Sequence, residues 1–202
     1  MIDWQKYGPS YTVSPGIKKI GDLPIIEFDD QENRYLELKK KTKENIFFDP
    51  LFDKDKDQKV VNKIKEILKI EYPNKDFNFN TFEEMGYAIQ EDIAIFHRSN
   101  KLIALHVSFP SSWKPKDKIG LSFANVHKPV PGMQKFLEKE QTYVNMMCNA
   151  IKPIIRYVWG EHSNYLLCPL EPLNGVKVMH TERQTFIGIP EDDLGIFFIR
   201  KK

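Results

Sequence analysis

The chain of 202 residues is long enough to form one domain with a sizeable core. Its 30 Lys and Arg residues nearly balance 28 Asp and Glu residues, so nothing in the composition favours nucleic acid or an anionic membrane as a partner. The two cysteines, Cys148 and Cys168, are too far apart for a redox Cys-x-x-Cys pair, and nothing suggests a disulfide framework. No segment has the apolar length of a membrane span and the N-terminus lacks signal-peptide features, so we expect a cytoplasmic protein.

Helical patterns follow an irregular, proline-containing stretch over residues 1–30. Apolar residues at helical spacing predict three helices, over residues 31–46, 57–70 and 80–90. Pro73 ends the second helix. Thr81 is the predicted N-cap of the third helix, and Glu84 is placed three residues later to complete a capping box.

Strand patterns dominate the rest of the chain. Residues 92–97 and 102–109 flank Ser99-Asn100 and predict a hairpin. A long proline-rich connection over residues 110–132 then leads to a helix over 133–151. Four further strands are predicted, over residues 154–159, 165–168, 176–187 and 195–200. This order favours an α+β domain, in which residues 1–80 pack on a core formed by 81–202.

His127 is the most informative single residue. It is predicted to lie in a loop stiffened by Pro129 and Pro131, because each proline restricts its own φ and the residue before it. A histidine on a rigid loop suits a metal or haem ligand, since the ring needs little ordering on ligation. The alternative is an ordinary hydrogen-bonded histidine. His162 lies beside another irregular segment and is a second candidate for either role.

The strand around Glu182 is polar on both faces within an apolar surrounding. By alternation, Glu182 and Gln184 share one face, and Arg183 lies on the other. One interpretation is a buried ion pair or an edge strand. The other is a strand lining a polar cavity, in which Arg183 or Gln184 holds an anionic group. Arg156 repeats this pattern, and Trp113 offers a flat surface to a planar ligand, although core packing is its usual role.

Several motifs occur in one order from about residue 80 to the C-terminus. They are Gln90-Glu91-Asp92, Phe109-Pro110-Ser111-Ser112-Trp113, Lys118-Ile119-Gly120, His127 with Pro129-Val130-Pro131-Gly132, Arg156 with Trp159, and Glu182-Arg183-Gln184-Thr185 followed by residues 197–200. In combination they resemble the alpha-subunit-like family of haem-dependent oxidative N-demethylases.

The resemblance implies a PAS-like antiparallel sheet flanked by helices, binding b-type haem. It implies a monooxygenase-type reaction in which a small secondary amine becomes a primary amine and formaldehyde. Electrons would come from partner subunits that carry flavin and an iron–sulfur centre. Self-association of the chain is compatible with this assignment.

The resemblance also suggests roles for individual residues. His127 would be the axial ligand of the haem iron, with His162 as the second choice, and Arg156 and Arg183 would hold the propionates. Glu91, Asp92 or Glu182 would attract an alkylammonium substrate if directed into the pocket.

Two alternatives to catalysis remain at this point. One is a haem or small-molecule sensor that uses the same pocket without turnover. The other is a shortened relative with a vestigial pocket, because the chain ends at Lys202, just after the last matching strand.

Overall fold

The architecture is an antiparallel sheet with helices on both faces. The structure is a computed structural model that describes residues 16–42, 44–110, 113–130, 133, 137–162, 164–165, 168–172 and 178–201. Of the described residues between 160 and 180, it describes the backbone alone. The described helices are α1 (Glu32–Lys41), α2 (Lys54–Glu71), α3 (Phe82–Ala88), α4 (Phe123–His127) and α5 (Glu140–Cys148). The strands are β1 (Lys18–Lys19), β2 (Ile46–Phe48), β3 (Asp92–His97), β4 (Lys101–His106), β5 (Ile154–His162), β6 (Asn164–Tyr165), β7 (Cys168–Pro172), β8 (Val178–Ile189) and β9 (Leu194–Lys201).

The main sheet has seven strands in the order β1-β5-β8-β9-β3-β4-β2, and every pairing is antiparallel. Strands β6 and β7 form a separate two-stranded ladder. The predicted α+β class is therefore confirmed, and the arrangement is compatible with the predicted PAS-like fold. In the described part of the chain, no helix is both long and apolar enough to cross a membrane.

The helix predictions hold where local signals are strong. Asp53 caps α2 by accepting the Lys56 N–H at 2.9 Å, and the apolar stripe of α2 is buried. Thr81 caps α3 as predicted, accepting the Glu84 N–H at 3.2 Å, but Glu84 reaches back to the N–H of Asn80 instead of Thr81. At the N-terminus of each of these two helices, the cap side chain therefore satisfies one of the N–H groups of the first turn.

The end predicted for the first helix was wrong. The helix predicted over residues 31–46 ends at Lys41, because Ile46 pairs with His106 as the first residue of β2. In this case sheet pairing overrides the apolar spacing that suggested a longer helix. The connection over residues 110–132 also contains structure of its own, namely a 3₁₀ turn (Pro115–Asp117) and helix α4.

Two hydrophobic cores lie on opposite faces of the sheet. Helices α2 and α3 pack on the first face, which carries Ile93, Ile95, Ile196 and Phe198. The second face carries Ala94, Phe96 and Phe186 and is covered by α5 together with the segment containing α4. Helix α5 lies close to the strands where Gly188 pairs with Gly195, since an added Cβ at Gly188 would come within 2.6 Å of the Cys148 carbonyl carbon.

Candidate functional site

The second face of the sheet holds a strip of partly exposed side chains, which we call the site face. Register places Arg156 opposite Gln184 and Val158 opposite Glu182, so all four project to this face. The predicted alternation along β8 is confirmed in its described part. On the site face, the partly exposed residues of β5, β8 and β9 are Ile154, Arg156, Val158, Glu182, Gln184, Phe197 and Ile199.

His127 flanks the site face from α4. The predicted loop position was wrong, because His127 is the last residue of this short helix. Ser122, Asn100 and Glu140 each accept an N–H from the first turn of α4, and Lys118 donates to a carbonyl near its end. The histidine is thus held by a fixed element even though α4 is short.

The geometry of the His127 ring determines its tautomer. Nδ1 lies 2.8 Å from the Phe123 carbonyl oxygen, which can only accept, so Nδ1 carries the hydrogen and Nε2 carries the lone pair. Burial lowers the pKa of His127 to about 4, and the charges of Arg156 and Lys118 act in the same direction, although the hydrogen bond to Phe123 opposes them. The ring is therefore neutral at neutral pH, the form that ligates metals.

Aromatic and aliphatic groups complete the surroundings of the site face. The Phe123 ring lies 4.1 Å from the His127 ring, and Phe186 stacks on Phe197 at 4.5 Å. Trp113 is partly buried and packs against the second core, as its default role predicts. Flat apolar surfaces, a neutral imidazole and a guanidinium on the same side of the sheet are groups that suit a planar, anionic ligand.

One end of the site face is polar. Gln184 donates from Nε2 to Glu182 Oε2 at 2.7 Å, which orients the Glu182 carboxylate. Lys201 lies opposite Glu182 in the ladder, with its Nζ 3.9 Å from Glu182 Oε1. Lys201 was not predicted from the sequence as a site residue.

The side chains of Arg183 and Glu91 lie on the first face of the sheet, opposite the site face. There they hold the N-terminal strap, which we define as residues 24–29. Arg183 is 1% exposed and donates to the carbonyls of Pro24 and Ile25, while Glu91 accepts the Glu27 N–H at 2.7 Å. Gln90 also holds the strap, accepting a backbone N–H from it at 3.1 Å. These contacts separate both charged residues from His127.

Asp92 projects to the site face but is fully engaged with backbone. Its two oxygens accept the N–H groups of Ser108 and Phe109, each at 2.9 Å, and Lys39 Nζ lies 4.0 Å from Oδ1. Burial raises the pKa of Asp92, and the charge of Lys39 and the two N–H donors oppose that rise. Asp92 therefore fixes the chain where β4 passes into the long connection.

Lys39 is a buried cation that the sequence analysis overlooked. Its Nζ donates to the carbonyls of Gly86, Ile89 and Glu91. Burial lowers its pKa to about 8. Its position four residues after the buried Tyr35 was the available signal, because residues at this spacing share a helix face.

His106 differs in accessibility from His127. His106 is fully buried on the first face, and neither ring nitrogen has a hydrogen-bond partner among the residues described. The side chain of His162 lies outside the described part of the structure, so its predicted role stays a prediction. Among the described residues, no three His, Cys, Asp or Glu side chains are placed to share a metal ion, whereas a haem iron needs a single protein ligand.

Fold and site together define an α+β protein in which the neutral, partly exposed imidazole of His127 lies beside a half-buried sheet face. A model of the family described as haem-dependent oxidative N-demethylase, alpha subunit-like, matches residues 48–201. The chain belongs to this family. None of the curated proteins matches the sequence.

Proposed function

We propose that this protein is a haem-dependent oxidoreductase that removes a methyl group from a small secondary amine. The observation that carries the proposal is the His127 ring, whose Nδ1–H is held by the Phe123 carbonyl and whose Nε2 is left with a lone pair. A backbone hydrogen bond to the far nitrogen is the usual way in which a ligating imidazole is oriented. Membership of a haem-dependent family supports haem as the group that this ring would bind.

Arg156 is the proposed partner of a haem propionate. It lies on the site face, and it is close enough for its charge to contribute to the lowered pKa of His127. A guanidinium is well matched to a carboxylate, with which it forms two parallel hydrogen bonds. The haem would be of b type, because neither cysteine belongs to a Cys-x-x-Cys-His attachment motif.

Glu182 is the proposed contact for the amine nitrogen. Gln184 holds one carboxylate oxygen, and the carboxylate lies on the same face as Arg156. A carboxylate fixed in this way can accept an N–H from the substrate and so orient its methyl group. We assign no substrate contact to Glu91 or Asp92, because their carboxylates accept backbone N–H groups.

The proposed reaction uses the amine, molecular oxygen, two electrons and two protons. It yields the demethylated amine, formaldehyde and water. When bound, haem would supply the activation of oxygen, for which amino-acid side chains have no equivalent. The residues of this chain bind and orient, and partner subunits would supply the electrons, in keeping with the family description as an alpha subunit.

The test is a haem titration followed by absorption, with two alanine variants. The wild-type protein should develop a sharp Soret band at one equivalent of haem, and His127→Ala should lose the band or shift it. His97→Ala is the matched control, because His97 is a partly exposed hairpin residue that hydrogen-bonds Ser99. An identical spectrum for His127→Ala would exclude His127 as the ligand.

Turnover distinguishes the enzyme from the two alternatives. With haem bound and a chemical electron donor present, dimethylamine should release formaldehyde. Haem binding without formaldehyde from any small secondary amine would favour a sensor. Absence of saturable haem uptake would favour a vestigial pocket.

A further inference from the structure

Lys201 is a buried cation at the polar end of the site face. It is 6% exposed, and its Nζ donates to the Phe109 carbonyl. The same Nζ lies 3.9 Å from Glu182 Oε1, whereas Gln184 occupies Oε2. The carboxylate proposed to meet the amine therefore already has a cation beside it.

Two carboxylates act on the Lys201 ammonium. Besides Glu182 on β8, the carboxylate acting on Lys201 is Asp92 on β3, and burial lowers the pKa of Lys201 while both carboxylates raise it. Asp92 has its own partners, because two N–H groups and Lys39 of α1 surround its oxygens. The Lys201 ammonium is thus the cation that faces the second oxygen of Glu182, Oε1.

We propose that Lys201 determines specificity by cancelling the charge of Glu182, so that the site takes an amine in its uncharged form. This inference rests on the proposed function and replaces the alkylammonium substrate that the sequence suggested. A lone carboxylate in a half-buried site attracts a cation. With an ammonium beside the carboxylate, an incoming cation also meets a like charge. An uncharged N–H donor meets no such repulsion and keeps its hydrogen bond.

The test compares a permanent cation with an uncharged molecule of similar size. Calorimetric titrations with tetramethylammonium and with tert-butyl alcohol are made at pH 7 on the haem-titrated full chain. Lys201→Met should bind tetramethylammonium about tenfold or more tightly than wild type, with less than about threefold change for the alcohol. Lys201→Arg keeps the charge and should match wild type. Lys69→Met removes an exposed lysine of α2, on the opposite face, and should also match.

Lys201→Gln is a second variant without the charge, and it tests the proposal if Lys201→Met does not fold. The amide retains a donor for the Phe109 carbonyl while removing the charge, so it should show the same gain for tetramethylammonium. Adding Glu182→Gln to either charge-removing variant should abolish the gain.

Equal changes for the cation and the alcohol, or no binding of either to any folded variant, would overturn the proposal. Soret absorbance of the same samples reports haem separately. A normal Soret band without the cation gain refutes only the role of Lys201, whereas a missing band refutes the proposed function.

Discussion

Replacing Arg183 with methionine separates a structural role from a haem-binding role. The Arg183 guanidinium is buried on the first face, where it donates to two strap carbonyls and its charge acts on Glu91 and Glu71. Methionine keeps the apolar stem but removes every one of these contacts. We expect this variant to lose stability and to keep haem binding.

The expected loss follows from the surroundings of Arg183. Removing one partner of a buried charge network costs about 3–5 kcal/mol. Arg183 also lies directly opposite Arg200 in the ladder, and relief of that like-charge contact returns up to about 1 kcal/mol. The net prediction is a decrease of about 2–5 kcal/mol in the free energy of unfolding, a large share of the 5–15 kcal/mol that is typical of a domain.

Urea denaturation measures the stability, and haem titration in the absence of urea measures the ligand affinity. Arg156→Met is the matched variant on the site face. It should weaken haem binding about tenfold and change the free energy of unfolding by less than about 1 kcal/mol. The reasoning is refuted if Arg183→Met keeps its stability but loses haem affinity, since Arg183 would then hold a propionate.

Two further predictions concern stability. Gly86→Ala should destabilise the fold by about 1–3 kcal/mol, as measured by urea denaturation. The reason is that an added Cβ would lie 2.6 Å from Nε2 of the buried His106 ring and closer to its carbons. Unchanged stability would contradict this packing. Burial alone would raise the pKa of Asp29, but hydrogen bonds from Gln90 and Arg200 outweigh it and hold that pKa well below its usual value. Asp29 thus contributes stability that is present above about pH 4 and is lost as pH falls further. The free energy of unfolding of Asp29→Asn should therefore fall less steeply with acid than that of wild type. Equal losses of stability in acid would argue against the Arg200 contact.

Local signals in the sequence predicted the elements that depend on local physics. The apolar stripe of α2, the Thr81 cap of α3 and the alternation along β8 are all decided within a few residues. The alternation correctly separated Glu182 from Arg183. What each face contacts could not be predicted in the same way.

Long-range contacts account for most of what the sequence did not indicate. The carbonyl partners of Arg183 lie 158 and 159 residues away in the chain, and the carbonyl partner of Lys201 lies 92 residues away. Polar residues in a strand indicate that they have some partner. The sequence pattern does not distinguish a partner in the N-terminal strap from a bound ligand. The position of His127 was misjudged because Pro129 and Pro131 suggested a loop, whereas a Ser122 cap and contacts from distant residues allow a short helix.

The central claim is that His127 Nε2 is the protein ligand of haem iron, and imidazole rescue tests it most directly. His127→Gly removes the ring and opens space beside Phe123 for free imidazole. The account predicts that haem-titrated His127→Gly lacks the wild-type Soret band and that added imidazole restores the band at its wild-type position. A wild-type band without imidazole would contradict the claim and assign the ligand to another residue.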